Sequence, residues 1–292
     1  MGSHFLSRDD KKKVINIATK GMGYHINHLY AILTYKCNLK CPHCELRTYN
    51  DNYNRENFIQ ALKQVQCDAV TLFGGEPTLY YDRFVDAVNT GKITSVSTNL
   101  LSINDDVFDL ITKHNISLST SWNPKRFTDN QYDRWLSNVR YISDTIKPLL
   151  LVTLTDDLIS YDKQSFYALV AEWRKSGVCE ILFEQLYDEA KTQAYYDNVD
   201  RWLVDIHSHW CEEYPQSVIL NQLDNWVFNC SKTYTLNPSG SINKGCPQYK
   251  TPSICHSCLT CEFASSCQPC MLQTCCTFPK KLYKYHNEKI SV

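Results

Sequence analysis

The sequence has 292 residues, a formal net charge of −1, 43% hydrophobic and 21% charged residues, and 15 cysteines. That length suffices for about two domains, or for one large α/β domain with an appendage. The balanced charge and ordinary hydrophobic content exclude a disordered chain, a collagen-like chain and a basic surface that coats nucleic acid.

The cysteine count favours a reduced, metal-binding protein. Because 15 is odd, the cysteines cannot all pair within the chain, and the first twenty residues lack the apolar core of a secretory signal. The apolar stretches fall short of the roughly 20 residues of a membrane helix. We therefore expect a cytoplasmic protein without membrane association, in which closely spaced cysteines bind metal rather than form disulfides.

Short apolar runs alternate with amphipathic stretches in the middle of the chain, a pattern typical of βα units around a parallel sheet. The predicted strands cover residues 29–34, 69–73, 95–98, 117–121, 149–154 and 180–183. The predicted helices cover residues 55–65, 82–88, 105–112, 133–144 and 161–175, with Asn104 in the cap of the third. A cysteine-rich tail follows, and we place the domain change near residue 215.

Three cysteines directly follow the first predicted strand. Cys37, Cys41 and Cys44 lie at its carboxyl end, where α/β folds carry their chemistry. Three neighbouring thiolates suit a four-iron cluster with one iron left open for a ligand, and an open position indicates catalysis. The alternatives are free thiols, or a zinc site completed by His43 or a tail cysteine.

The Cys-x3-Cys-x2-Cys spacing resembles the signature of the radical S-adenosylmethionine (SAM) superfamily, in which an aromatic residue precedes the third cysteine. His43 holds that position and can stack on adenine. The resemblance implies a partial (β/α)6 TIM-like barrel with a [4Fe–4S] cluster on Cys37, Cys41 and Cys44. It further implies that SAM binds the open iron and is cleaved to methionine and a 5′-deoxyadenosyl radical, which abstracts hydrogen. An electron donor such as flavodoxin or ferredoxin is then required.

A second motif, Gly74-Gly75-Glu76-Pro77, closes the second predicted strand. Two glycines let a ligand approach the backbone, and the glutamate can accept a hydrogen bond from an ammonium group. The motif resembles the family's GGE-P segment, which holds the amino group of SAM. Taken alone, it also fits a glycine turn with a solvated glutamate.

Polar residues end the third and fourth predicted strands as well. Thr98 and Asn99 resemble a Thr-Asn step of the family and are expected to face SAM, the alternative being a plain turn. Ser119 and Ser121 point the same way by strand alternation and are expected to reach the ribose hydroxyls. Relatives often carry Ser-x-Asp-Gly here, and this sequence has Ser121-Trp122 in place of the Asp-Gly.

Nine cysteines crowd the last quarter of the chain, too densely for core residues. Their spacing resembles the SPASM extension of radical SAM enzymes, with structural zinc ribbons as the alternative. The resemblance implies one or two auxiliary [4Fe–4S] clusters. One would use Cys230, Cys246, Cys255 and Cys270, and the other Cys258, Cys261 and Cys267 with Cys275 or Cys276. The expected domains are an N-terminal extension (1–28), the partial barrel (29–214) and a small cysteine-rich iron–sulfur domain (215–292).

In this family, auxiliary clusters often accompany the modification of peptides or proteins. We therefore expect a maturase that abstracts hydrogen from a residue of a ribosomally made peptide, giving a cross-link, an epimerisation or an oxidation. With 28 residues before the first predicted strand, we expect a substrate that is short, leaderless or presented by another protein. The alternatives are a radical SAM dehydrogenase of a small molecule such as an amino sugar, an enzyme that activates a partner by a glycyl radical, and a zinc-binding module without catalysis.

Overall fold

The computed structural model describes residues 26–44, 46–185 and 233–244, together with 198–199, 201–202, 205–206 and 209. The strands in these residues are β1 Ile26–Thr34, β2 Cys67–Gly74, β3 Ser95–Ser97, β4 Ser117–Trp122, β5 Leu149–Leu154, β6 Glu180–Gln185, β7 Thr233–Leu236 and β8 Ile242–Lys244. The helices are α1 Arg55–Gln64, α2 Tyr81–Val88, α3 Asp105–Lys113, α4 Asp129–Ser143, α5 Asp156–Ile159 and α6 Lys163–Lys175.

These strands form one sheet in the order β6-β5-β4-β3-β2-β1-β7-β8. The strands from β6 to β7 are parallel to their neighbours, and β8 runs antiparallel to β7. The sheet is open, so it is a partial barrel, and the carboxyl ends of its parallel strands share one edge, which we call the carboxyl rim. The predicted α/β fold is thereby confirmed.

The predicted strands correspond to β1–β6, whereas β7 and β8 were missed. Both are short, and they lie among the tail cysteines, on the far side of the boundary predicted near residue 215. Since β7 pairs with β1, residues 233–244 belong to the barrel sheet. The helix predicted at 133–144 begins earlier, at Asp129, where Thr128 and Gln131 form a reciprocal capping box.

Helix starts follow local side-chain chemistry. The side chain of Asn54 accepts a hydrogen bond from Asn57 N, and that of Asn104 accepts one from Val107 N, as predicted for the third helix. Such caps satisfy amide groups that have no partner inside the helix. No helix of the described residues is long and apolar enough to cross a membrane.

The helices pack on one face of the sheet. Along β4, Thr120 and Trp122 are buried on this face, and the fully buried Trp135 of α4 donates its indole Nε1 to Thr120 Oγ1 at 2.9 Å. Strand residues alternate in direction. Ser119 and Ser121 therefore lie on the other face, which we call the open face.

The hairpin formed by β7 and β8 contacts both α1 and the start of the loop after β1. Tyr35 Oη donates to Asn237 Oδ1 at 2.8 Å, and Asn54 N donates to the carbonyl of Pro238 at 2.9 Å. Gly240 has a φ of +86°, and a Cβ on it would lie 2.5 Å from Asn57 Cβ. The hairpin is thus fixed against the barrel close to the predicted site.

Candidate active site

The three predicted cluster cysteines lie on one loop, residues 35–44, which we call the cysteine loop. It leaves β1 at the carboxyl rim. Leu39 N donates to Cys37 Sγ at 3.4 Å, and Cys44 N donates to the carbonyl of Cys41 at 3.1 Å. Cys41 is buried, while Cys37 and Cys44 are partly exposed. The loop therefore turns back on itself and carries its thiols close to the end of the strand.

Gly74 and Gly75 contact the backbone at the end of β1 and the start of the cysteine loop. Gly75 N donates to the carbonyl of Thr34, and Glu76 N donates to that of Lys36, both at 2.8 Å. A Cβ on Gly74, whose φ is +132°, would lie 2.3 Å from the Thr34 oxygen, and one on Gly75 would lie 2.0 Å from the Lys36 oxygen. The backbone at the end of β1 and in the cysteine loop therefore approaches both glycines closely, and that they also admit a ligand stays a prediction.

The carboxylate of Glu76 is fully buried and surrounded by donors. Its Oε1 accepts from Thr78 N at 3.1 Å, Thr78 Oγ1 at 2.7 Å and Thr98 Oγ1 at 2.7 Å, and its Oε2 accepts from Asn99 N at 2.6 Å. Burial raises the pKa of Glu76, and these hydrogen bonds oppose the increase. Glu76 also caps the short 3-10 turn Pro77–Leu79. It therefore ties β2 to β3 and is not a solvated residue.

Asn99 connects this network to the cysteine loop. Its Nδ2 donates to Asn38 Oδ1 at 2.6 Å and to Cys37 Sγ at 3.7 Å, while its Oδ1 accepts from Leu101 N at 2.9 Å. Thr98 Oγ1 likewise accepts a hydrogen bond from Leu100 N while it donates one to Glu76 Oε1. Both residues therefore shape the turn after β3, and Asn99 also contacts a predicted cluster ligand.

A guanidinium group lies against the cysteine loop. Arg126, in the loop after β4, donates from Nη1 to Cys41 Sγ at 3.5 Å. Burial has the largest effect on the Cys37 thiol and raises its pKa, and the charge of Glu76 adds to this, while the charge of Arg126 opposes it. Sequence reasoning missed Arg126. The signal that could have found it is its position just after a predicted strand, since such positions meet at one rim.

Two residues of this β4 loop carry buried polar atoms without a partner in the described part of the chain. These atoms are both amide atoms of Asn123, which is 2% exposed, and Nε of Arg126. Unpaired buried polar groups are uncommon and costly. Arg126 contacts Cys41, so its unpaired Nε fits the presence of a further polar or anionic group at this site.

His43 is half-buried at the end of the cysteine loop. Burial, followed by the charge of Arg126, lowers its pKa to about 4. The imidazole is therefore uncharged at neutral pH. A neutral, flat ring suits the predicted stacking on adenine.

Ser119 and Ser121 are half-buried on the open face, as strand alternation predicts. Ser119 Oγ donates to the carbonyl of Val96 at 3.4 Å. Both side chains are thus on the side of the sheet that helix α4 does not cover. The hydroxyls of Ser119 and Ser121 lie on β4, the strand next to β3. They therefore adjoin the position of a ligand held at the carboxyl rim above β2 and β3.

A cavity of about 540 Å³ borders the same β4 loop. Its walls include Trp122, Phe127 and Tyr161. Lys125 Nζ and Asp157 Oδ1 form an ion pair at 2.6 Å between the loop after β4 and helix α5. Sequence reasoning did not predict this concave surface at the rim.

The donor set of the cysteine loop fits an iron–sulfur cluster. All three predicted ligands are thiols, and one of them, Cys41, contacts the guanidinium of Arg126, whose Nε has no partner in the described residues. In the described residues, no three His, Cys, Asp or Glu side chains are grouped so as to hold a single metal ion. Each thiolate of a four-iron cluster binds a different iron, so its sulfurs surround a volume and do not meet at one point. The predicted ligands of the auxiliary clusters, Cys230 to Cys276, lie outside the described residues.

Comparison with protein families adds to this geometry. Residues 31–157 match the family described as the radical SAM superfamily. This segment, which runs from β1 to α5 and includes the cysteine loop, Glu76 and Arg126, is therefore a radical SAM domain. The family implies a [4Fe–4S] cluster and SAM as cofactors. Among curated proteins, no sequence matches the chain.

Solved structures share the fold. Streptococcus suis SuiB bound to S-adenosylmethionine has a TM-score of 0.60 and 13% identity, over 84% of this chain and 72% of that one. A second structure of SuiB has a TM-score of 0.59 and 14% identity, over 79% and 64%. SuiB bound to its precursor peptide SuiA has a TM-score of 0.57 and 14% identity, over 79% and 63%. Because the sequence identity is only 13–14%, these matches show a similarity of fold alone.

Proposed function

We propose that this protein is a radical SAM enzyme that abstracts hydrogen from a residue of a peptide or protein, as a maturase of ribosomally made peptides. The observation that carries the proposal is the single hydrogen-bond network joining the cysteine loop to the buried glutamate. Asn99 donates its backbone N–H to Glu76 Oε2 at 2.6 Å and its side-chain N–H to Cys37 Sγ at 3.7 Å. A cluster ligand and a candidate SAM contact are thus held by one residue.

In this proposal Cys37, Cys41 and Cys44 hold the [4Fe–4S] cluster. When bound, the cluster and SAM supply the electron transfer and the 5′-deoxyadenosyl radical that the family's chemistry uses. The chain's own part is positioning. Two backbone hydrogen bonds, from Gly75 N to the carbonyl of Thr34 and from Glu76 N to that of Lys36, hold the end of β1 and the start of the cysteine loop against this motif. The ligands are thereby placed relative to Glu76.

The remaining candidate residues are assigned to SAM. Among the described donors, Asn99 N is the one that bonds to Glu76 Oε2. Since a carboxylate oxygen accepts more than one hydrogen bond, this atom can also accept from the ammonium of SAM. Thr98 holds the carboxylate by a hydrogen bond, and Pro77 begins the short turn that Glu76 caps. His43 offers a neutral ring to the adenine, and Ser119 and Ser121 offer hydroxyls to the ribose.

A peptide is the substrate class that the comparisons favour. SuiB, whose fold is similar, has been crystallised with the precursor peptide SuiA. The tail is assigned one or two auxiliary clusters. We place its start near residue 215, so that its strands β7 and β8 extend the barrel sheet. The reaction ends in a cross-link, an epimerisation or an oxidation. A cytoplasmic flavodoxin or ferredoxin supplies the electron.

The test begins with the full chain, reconstituted anaerobically with iron and sulfide. We expect brown protein that, with dithionite and SAM, forms 5′-deoxyadenosine measured by liquid chromatography. Glu76→Gln removes the negative charge that receives the ammonium, so it should weaken SAM binding while iron content is retained. Colourless protein that binds zinc and forms no 5′-deoxyadenosine would contradict the proposal.

The substrate class is tested separately. The loaded enzyme is incubated with peptides encoded by short reading frames next to its gene, and with a panel of amino sugars. Mass spectrometry should detect a peptide that has lost two hydrogen atoms, or one that has taken up deuterium from heavy water in an epimerisation. Turnover of an amino sugar without any change in the peptides would favour the small-molecule dehydrogenase.

A further inference from the structure

We propose that Arg126 raises the reduction potential of the cluster held by the cysteine loop, through its hydrogen bond to Cys41 Sγ. The inference rests on the proposed function, because it requires the cluster. It assigns a role to a residue that no cysteine or SAM motif includes. Arg126 acts through a cluster ligand and is therefore a positioning and tuning residue.

The first argument is geometric. The turn after β4 aims this side chain across the carboxyl rim. Arg126 N donates to the carbonyl of Asn123 at 3.2 Å, and Lys125 adopts a φ of +63°, which is rare for a side chain with a Cβ. The strained turn brings Nη1 of Arg126 to 3.5 Å from Cys41 Sγ, a contact across 85 residues of sequence.

The second argument is charge compensation. Other arginines at this end of the barrel pair with carboxylates, as Arg55 does with Asp86 and Arg83 with Asp51. In the described part of the chain, the ion pairs do not include Arg126, and its Nε is buried without a partner. A half-buried guanidinium needs an anion. Three thiolates carrying an iron–sulfur cluster provide one.

The direction of the effect follows from electrostatics. Reduction adds one negative charge to the cluster, so a neighbouring cation stabilises the reduced state more than the oxidised state. A hydrogen bond to a ligand sulfur acts in the same direction. Since the buried Cys41 shields this contact from water, the interaction is weakly screened. Arg126 therefore makes the cluster easier to reduce.

The experiment measures the redox state of the reconstituted full chain at a fixed solution potential near the wild-type midpoint, without SAM. Electron paramagnetic resonance quantifies the reduced cluster. The spectrum of the Cys37→Ala, Cys41→Ala, Cys44→Ala variant is subtracted to remove signals from tail clusters. Omitting SAM ensures that a contact between Arg126 and SAM cannot contribute.

The neutral variants Arg126→Gln and Arg126→Met should lower the ratio of reduced to oxidised cluster about tenfold, which is about 59 mV for a one-electron couple. Arg126→Lys keeps the positive charge but loses the planar set of guanidinium donors. Its ratio of reduced to oxidised cluster should therefore lie within about threefold of the wild-type ratio. Lys125→Gln is the matched control, because this neighbouring cation pairs with Asp157. It should leave the ratio unchanged.

Equal ratios in the wild type and the neutral variants would overturn the inference. An equal decrease in Lys125→Gln would also overturn it, by showing an effect of net charge. If neither neutral variant binds a cluster although circular dichroism shows a folded chain, Arg126 serves assembly and the inference fails. A wild-type chain that binds no cluster refutes the proposed function instead, which keeps the two failures distinct.

Discussion

The carboxyl rim has two parts that differ in how their buried polar groups are paired. After β2 and β3, Glu76 accepts four hydrogen bonds from the protein, and Asn99 bonds to three other residues through its side chain. After β4, Asn123 and Arg126 keep three buried atoms unpaired within the described residues. The first part is organised by hydrogen bonds within the protein, whereas the second leaves buried polar atoms that a polar or anionic group can satisfy.

The largest effect is expected from removing the thiols that join the two parts. Changing Cys37, Cys41 and Cys44 together to alanine should abolish SAM cleavage and lower the iron content by about four atoms per chain, the content of one cubane. Iron analysis and the 5′-deoxyadenosine assay measure both. Cys67→Ala is the control, because this thiol lies at the start of β2, away from the rim. Formation of 5′-deoxyadenosine by the triple variant would refute the ligand assignment.

The next largest effect is expected from disrupting the contact between Gly75 and the cysteine loop, in the part of the rim after β2 and β3. Gly75→Ala places a Cβ 2.0 Å from the Lys36 oxygen, so the cysteine loop must move. We expect a loss of at least about 3 kcal/mol in the free energy of unfolding, with loss of bound iron. Urea unfolding monitored by circular dichroism measures the change.

Gly91→Ala is the comparison for this substitution, because it adds a Cβ at a glycine that has no close neighbour. Gly91 has a φ of +69°, but no atom lies within 4 Å of its Cβ position. Gly91→Ala therefore introduces backbone strain, which Gly75→Ala does not because Gly75 has no positive φ, but it introduces no steric clash. We expect a cost of about 1 to 2 kcal/mol. Equal costs for the two substitutions would mean that the cysteine loop does not depend on its contact with β2.

The two parts of the rim also differ in how far they were predictable. Cys37, Glu76 and Asn99 were predicted as site residues because each follows a predicted strand in a short motif, and parallel strands bring their ends together. Arg126 was missed, because its role depends on a turn and a long side chain that reach a distant loop. Strand β7 was missed for a similar reason, since its pairing with β1 joins segments far apart in the sequence. The spacing of residues within a motif predicts their chemical role from the sequence. Contacts between distant segments are seen only in the folded structure.

A pair of matched substitutions tests the difference directly in the chain prepared without iron. Asn99→Leu removes three side-chain hydrogen bonds and leaves Leu101 N unpaired, so it should cost about 3 kcal/mol of unfolding free energy. Asn123→Leu removes a buried amide that has no partner in the described residues, so it should be neutral or stabilise the chain by about 1 kcal/mol. Urea unfolding compares the two. Equal losses would show that both parts of the rim are organised by the protein.

The smallest effect lies deeper in the same strands, on the open face. His28 Nε2 lies 2.9 Å from Thr71 Oγ1, which in turn lies 2.6 Å from Ser95 Oγ. Burial lowers the pKa of His28 from 6.5 to about 4. Between these values the unfolded chain binds a proton that the folded chain does not. Stability is therefore complete above pH 6.5 and falls as the pH decreases toward 4.

After allowance for partial exposure, this histidine should account for about 1 kcal/mol of the stability lost between pH 7 and pH 5. His28→Gln keeps a hydrogen-bonding group but does not titrate, so its stability should decrease less over the same interval. Urea unfolding of the wild type and the variant at both pH values provides the measurement, and the other titrating groups cancel in the difference. If the variant loses as much stability as the wild type, His28 is protonated in the folded chain, and the open face around it is more polar than its burial implies.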